Sequence, residues 1–236
     1  MDPLAPLTAA EWEAVRLSLR VSFWATVASL PFGIGVALLL TRGRFWGRPV
    51  LDGLVHLPLI LPPVVTGYAL LLLFGRQGPL GAALADWFGI TLAFRWTGAA
   101  LAAAIMGFPL MVRAIRLALE AVDPKLEEAA GTLGAGRIWT FLLVTLPLIL
   151  PGILAGAVLG FAKAMGEFGA TITFVSNIPG ETRTLPSAVY TALQVPGGEP
   201  LALRLALVSV VVAVLALLLS DRISRTVARR IAGRAR

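Results

Sequence analysis

The chain has 236 residues, of which 58% are hydrophobic and only 14% charged, and it carries a formal net charge of +7. That balance, with a mean hydropathy of +0.86, excludes a soluble domain and points to an integral membrane protein. The absence of cysteine and the single histidine, His56, exclude disulfides, thiolate metal sites and a histidine-based metal cluster.

The first 15 residues carry the acids Glu11 and Glu13 in place of a basic segment, so no cleavable signal is expected there. Apolar runs of about 20 residues mark membrane crossings. Five are predicted, at roughly 18–40, 54–74, 98–119, 141–162 and 201–220. The first two are joined by Arg42-Gly-Arg44-Phe-Trp-Gly-Arg48, and the third and fourth by a segment with Lys125 and Arg137, Arg113 and Arg116 lying just inside. Beyond the fifth come Arg222, Arg225, Arg229, Arg230, Arg234 and Arg236. With five spans these segments all face one side, which the positive-inside rule makes the cytoplasm. The N-terminus is then outside and the C-terminus cytoplasmic. The arginines serve topology and lipid headgroups, and no nucleic-acid partner is expected.

The hexapeptide Leu57-Pro-Leu-Ile-Leu-Pro62 recurs as Leu146-Pro-Leu-Ile-Leu-Pro151, each copy expected near the cytoplasmic start of a span. Prolines four apart remove backbone donors and loosen a helix, which a membrane tolerates only where neighbours or a cavity satisfy the freed carbonyls. Both copies fit a moving pore wall, and equally two helix starts made of common apolar residues.

Between the third and fourth spans, Asp123-Pro124 offers an N-cap with proline at the first helical position. Leu126, Ala129, Ala130 and Leu133 form one apolar stripe, with Lys125, Glu127, Glu128 and Thr132 on the other faces. Gly131, Gly134 and Gly136 are expected to stop the helix. Barely two turns long, it needs a surface to dock on. Glu128-Ala-Ala130, then Gly134, then Val144-x-Leu146-Pro147 resembles the EAA loop of membrane subunits of bacterial ABC importers, with Val144 where the family pattern has isoleucine. The alternative is an ordinary connector between spans. The resemblance implies that this coupling loop, about 120–140, docks on an ATPase subunit through Glu127, Glu128, Ala129, Ala130, Gly134, Leu146 and Pro147.

The only lysines are Lys125 and Lys163, neither in a Walker A loop, so ATP and Mg are expected on a separate ATPase and no cofactor in this chain. The stretch from about 163 to 200 is too polar for a plain spanning helix and is read as an outer gate region of short helices and turns. Two runs, His56 to Tyr68 and Phe161 through Gly166-Glu-Phe-Gly-Ala170 to Pro186, resemble molybdate permeases; the shorter Gly166–Ala170 run is shared with sulfate and thiosulfate permeases. A tetrahedral dianion in transit wants weak, exchangeable donors. Lys163, Thr171, Thr173, Ser176, Asn177, Thr182, Arg183 and Thr184 are candidates, with Thr66 and Tyr68 from the second span. Lys163 and Glu167, four apart, can pair, either for the pathway or for structure. His56 is read as a packed, hydrogen-bonded side chain.

The expected molecule is an all-α membrane permease of residues 1–236 with the type I importer fold, in the bacterial inner membrane. The resemblance implies a homodimer, two ATP-binding cassette ATPase subunits and an extracytoplasmic molybdate-binding protein. The alternatives are a sulfate, thiosulfate or tungstate permease of the same fold and, from another class, an ion-gradient-driven secondary transporter. The latter needs no EAA loop and more intramembrane acids than Glu167 alone.

Overall fold

Helix α1 (Ala9–Arg42) starts from a capping box: the Glu11 N–H donates to the Thr8 hydroxyl, and the Glu11 carboxylate accepts from the Thr8 N–H at 2.6 Å. The computed structural model describes residues 7–234, the side chains of 219–221 and 223–234 excepted. Arg225, Arg229, Arg230, Arg234 and Arg236 of the basic tail therefore lie outside the described side chains. Among the described residues the elements are all helical. After α1 come α2 (Arg48–Ile60), α3 (Pro63–Phe74), α4 (Pro79–Phe88) and α5 (Trp96–Glu120). The short α6 (Pro124–Thr132) and α7 (Arg137–Thr140) lead through a π turn (Phe141–Thr145) into α8 (Leu146–Met165). The chain closes with α9 (Gly169–Val175), α10 (Leu185–Leu193) and α11 (Glu199–Arg234).

Among the described residues, four helical segments are long and apolar enough to cross a bilayer: α1, α5, α7 with α8, and the first 20 residues of α11. They match four of the five predicted spans. The fifth, predicted at 54–74 as one helix, is two helices, α2 and α3, which are apolar enough together to make a fifth span but are bent by 115° at the break. Proline drives the residue before it out of the helical region. Leu61 (ψ 143°) precedes Pro62, and Pro62 (ψ 134°) precedes Pro63, so two successive residues are extended and the helix cannot continue. The first hexapeptide consequently ends a helix, where a span start was expected.

The core is α1, α5 and α8 packed on one another, and small residues let them approach. Ala99, Ala102 and Ala103 of α5 are wholly buried. A Cβ on Gly107 would lie 3.0 Å from the Gly160 carbonyl, and one on Gly156 2.9 Å from that of Met111. In a lipid environment such backbone proximity, and not hydrophobicity, drives helices together. Ser18, Ser22, Thr26 and Ser29 form a buried stripe along α1, where Thr26 and Ser29 return their hydroxyls to carbonyls one turn back, at 2.8 and 2.6 Å. Outside this core, α3 packs on α9, and α11 on α8 and α10. The apolar residues left on the outside, such as Phe32, Val210 and Leu215, are what a bilayer covers.

Candidate coupling loop and outer segments

Asp123 caps α6 as its sequence requires, its carboxylate accepting the Lys125 N–H at 3.0 Å with Pro124 in the first turn. The other end is a Schellman closure. The Ala135 N–H reaches the Ala130 carbonyl and the Gly134 N–H that of Gly131, both at 3.0 Å. That geometry needs a left-handed residue, and Gly134 supplies it with φ +85°. Space is not the constraint there: a Cβ on Gly134 would meet nothing within 4 Å. The expectation that Gly131 stops the helix is corrected, since Gly131 lies inside α6 and the stop falls three residues later. Gly136 instead caps α7.

No residue of α6 is buried. Leu126 is 48% exposed and Leu133 88%, with Ile138 at 75% and Trp139 at 61% beside them. Leu126 and Leu133 thus stand exposed beyond the end of α5, and Ile138 and Trp139 on α7, where the next candidate span begins. Ala129 is exposed, Ala130 half-buried, and Glu128 points outward.

Glu127 behaves differently from its neighbour. Expected with Glu128 at the ATPase contact, it is turned back onto its own chain. The Arg42 guanidinium, at the end of α1, donates to Glu127 Oε1 at 2.5 Å. The hydroxyl of Thr145, fully buried in the π turn, donates to the same oxygen. Leu146 and Pro147 follow at the start of α8, half-buried.

At the other end of the spans, Lys163 Nζ donates to Glu167 Oε2 at 2.8 Å, the pairing its i, i+4 spacing predicted. The second oxygen of Glu167 accepts the Ala170 N–H at 3.0 Å and so anchors the first turn of α9. A carboxylate 3% exposed with both oxygens engaged is a structural brace. Thr171 is 1% exposed, and Thr173 returns its hydroxyl to the Gly169 carbonyl. From α3, Thr66 is buried with its hydroxyl unpartnered. Its neighbour Gly67 lets the helices touch, since a Cβ there would sit 2.5 Å from the Ala170 carbonyl. Tyr68 is on the exposed side of α3.

The turn between α9 and α10 is a hydrogen-bonded knot. Asn177 donates to the Thr191 hydroxyl at 2.6 Å and accepts from Arg183 Nε at 3.0 Å. Thr182, fully buried, accepts the Ile178 N–H at 2.9 Å. Thr184 pairs with Ser187. Ser176 is exposed at φ +67°, an unusual backbone for a residue with a side chain. The candidates thus form two groups, Lys163 with Glu167 and Asn177 with Arg183, and Tyr68 joins neither.

Sequence spacing missed the long-range partners. Arg204 of α11 donates through Nε to Glu11 Oε1 at 2.9 Å, both side chains buried. Between α2 and the C-terminal end of α5, Asp52 holds Arg116 at 3.2 Å beside His56 and Glu120, around a cavity of about 300 Å³. His56 is hydrogen-bonded, Nδ1 lying 2.9 Å from the Asp52 carbonyl.

Comparison with known proteins gives a consistent picture. Residues 29–232 match the family described as binding-protein-dependent transport system inner membrane component. The chain is 62% identical to the molybdenum transport system permease protein ModB of Escherichia coli (strain K12), over 97% of this chain and 99% of that one. It is 37% identical to the sulfate transport system permease protein CysT of Salmonella typhimurium, over 91% and 78% respectively. Its fold is that of a bacterial alginate ABC transporter solved in complex with an alginate pentasaccharide-bound periplasmic protein, at a TM-score of 0.72 and 20% identity, covering 93% of this chain and 80% of that one.

Proposed function

This chain belongs to the family of binding-protein-dependent transport system inner membrane components, and from that premise we infer its work: it is the membrane-spanning permease of an ATP-driven molybdate importer. The observation that carries the mechanism is the α6–α7 loop, a capped, Gly134-closed helix that exposes Leu126 and Leu133 between two spans, with Ile138 and Trp139 exposed on the α7 that follows. A helix so short and so exposed is stabilised by a partner. In this reading the partner is an ATPase subunit, which binds ATP and Mg and performs the hydrolysis. Two copies of the chain form a homodimer with the pathway along the two-fold axis, two α6 helices engage two ATPases, and an extracytoplasmic binding protein delivers the oxyanion. Closure of the ATPases moves the α6 helices as rigid bodies and switches the opening from one side to the other.

The choice of molybdate over sulfate is supported by 62% identity to a molybdenum permease against 37% to a sulfate permease. Arg183, whose Nε is engaged by the neutral Asn177 amide, supplies positive potential to the outer segments without binding a dianion tightly, whereas the charge of Lys163 is offset by Glu167.

The coupling assignment is tested with Glu128→Lys and Gly134→Val. The first reverses the charge presented to the ATPase; the second places a β-carbon in a left-handed position, at a cost of roughly 1–2 kcal/mol. Both variants are expected to insert in the membrane while recovery of the ATPase in a pull-down and molybdate uptake fall together. Normal recovery and uptake in both would reduce the loop to a connector. Orientation is read from reporter fusions. Fusions after Arg48 and Arg236 should report cytoplasmic and one after Gly89 external, and an external Arg48 would reverse the assignment.

A further inference from the structure

We propose that Glu127 is a positioning residue that clamps the coupling helix to both α1 and the start of α8, so that α1 carries the movement of α6 to the outer face of the molecule. The proposal rests on the coupling role given above to α6. Glu127 and Glu128 are adjacent but differ in their surroundings: Glu128 is exposed, whereas one oxygen of Glu127 holds Arg42 and Thr145 together. Those two residues lie on different spans, Arg42 closing α1 and Thr145 ending the π turn that opens into α8. A half-exposed ion pair alone adds little. The third member changes this, because Thr145 is fully buried and its hydroxyl fixes the carboxylate in place.

Without such a clamp α6 could rock. It is attached through extended Asp123 on one side and left-handed Gly134 followed by extended Gly136 on the other, positions where backbone rotation absorbs a displacement. With the clamp, a push on α6 reaches α1 and α8 directly. The π turn is a place where such a push can be taken up, since its wider ring leaves the helix register locally soft.

The far end of α1 is tied to the outer segments. The Leu185 N–H at the start of α10 donates to the Ser18 hydroxyl at 2.7 Å, and buried Arg204 of α11 holds buried Glu11. Glu13 lies against the turn before α10, its Oε1 3.2 Å from where a Gly180 Cβ would stand. α1 is a single helix of 34 residues with Pro31 inside it, about 50 Å long at 1.5 Å per residue. One helix therefore links the ATPase side to the turns that carry Asn177 and Arg183.

The chain has no cysteine, so a single Gln194→Cys, exposed just past α10, can report movement at the outer end. In proteoliposomes holding the permease, its ATPase and the binding protein, Glu127→Gln is expected to retain the ATPase in wild-type amount. Molybdate moved per ATP hydrolysed should fall by about ten-fold or more, the scale of one lost charge-assisted hydrogen bond. The ATP-dependent change in maleimide labelling at position 194 should disappear, and Glu128→Lys should lose the ATPase itself. The exchanged pair Arg42→Glu with Glu127→Arg should recover part of the lost coupling. An unchanged ratio and unchanged labelling in Glu127→Gln would overturn the clamp, as would loss of the ATPase equal to that of Glu128→Lys, which would make Glu127 a contact residue. If Glu127→Gln fails to assemble, the exchanged pair decides: recovery supports the clamp and none refutes it. A wild-type complex that hydrolyses ATP and shows the labelling change, yet moves no molybdate, would remove the substrate assignment and leave the clamp standing.

Discussion

Leu57–Pro62 and Leu146–Pro151 are the same six residues, and they fold into different objects. The first copy is the end of α2 and runs into a 115° bend. The second opens α8, which continues unbroken for 20 residues with Pro151 inside it. Each copy removes the same backbone donors, so the hexapeptide itself does not decide the outcome. The following residue does. Pro63 forces Pro62 into the extended region, whereas Gly152 leaves Pro151 helical and fits a site where even a Cβ would lie 2.2 Å from that of Ala118. The preceding turn also differs. Ahead of α8 the π turn lets the Leu146 N–H reach the Phe141 carbonyl, taking up slack that a proline-rich start creates. A proline motif in a membrane span is thus read with its neighbours on both sides.

The strongest way to break this contrast is to carry the second proline across. Gly152→Pro puts a Pro-Pro step inside α8 and a ring against Ala118, at a cost of about 3 kcal/mol or more. The expected result is loss of folded protein, seen as a collapsed monodisperse peak in detergent; a stable variant with a straight α8 would mean that packing overrides the proline. A smaller effect is expected from Pro63→Leu, which returns one N–H and frees Pro62. Spin labels at Val50→Cys and Leu72→Cys, both exposed, should move apart as α2 and α3 open from their bend, with insertion intact. An unchanged distance would assign the bend to the packing of α3 on α9.

The same contrast explains what the sequence could and could not reveal. Spans α1, α5, α8 and α11 were legible because their apolar runs exceed what any soluble helix needs, and the α6 cap because Asp123-Pro124 is a local device. Gly134 was legible for the same reason, since a chain reversal after a short helix needs a left-handed residue. Lys163 with Glu167 followed from helical spacing alone. The bend at Pro62 was not, because hydropathy sums a window and is blind to the path within it. Gly131 misled because glycine weakens a helix without ending it when a Schellman closure lies three residues on. Glu127 looked equivalent to Glu128 in a helical projection, and only the fold brings in Arg42 from 85 positions away. Glu11 and Arg204, separated by 193 positions, have no local signature.

The most direct test of the account is transport by the assembled complex. The permease, its ATPase and its binding protein are reconstituted in liposomes, and uptake and ATP hydrolysis are followed with molybdate, tungstate or sulfate outside. The account predicts ATP-dependent accumulation of molybdate with stimulated hydrolysis, and little of either with sulfate. Sulfate accumulated as fast as molybdate, or molybdate entering without ATP, would contradict it.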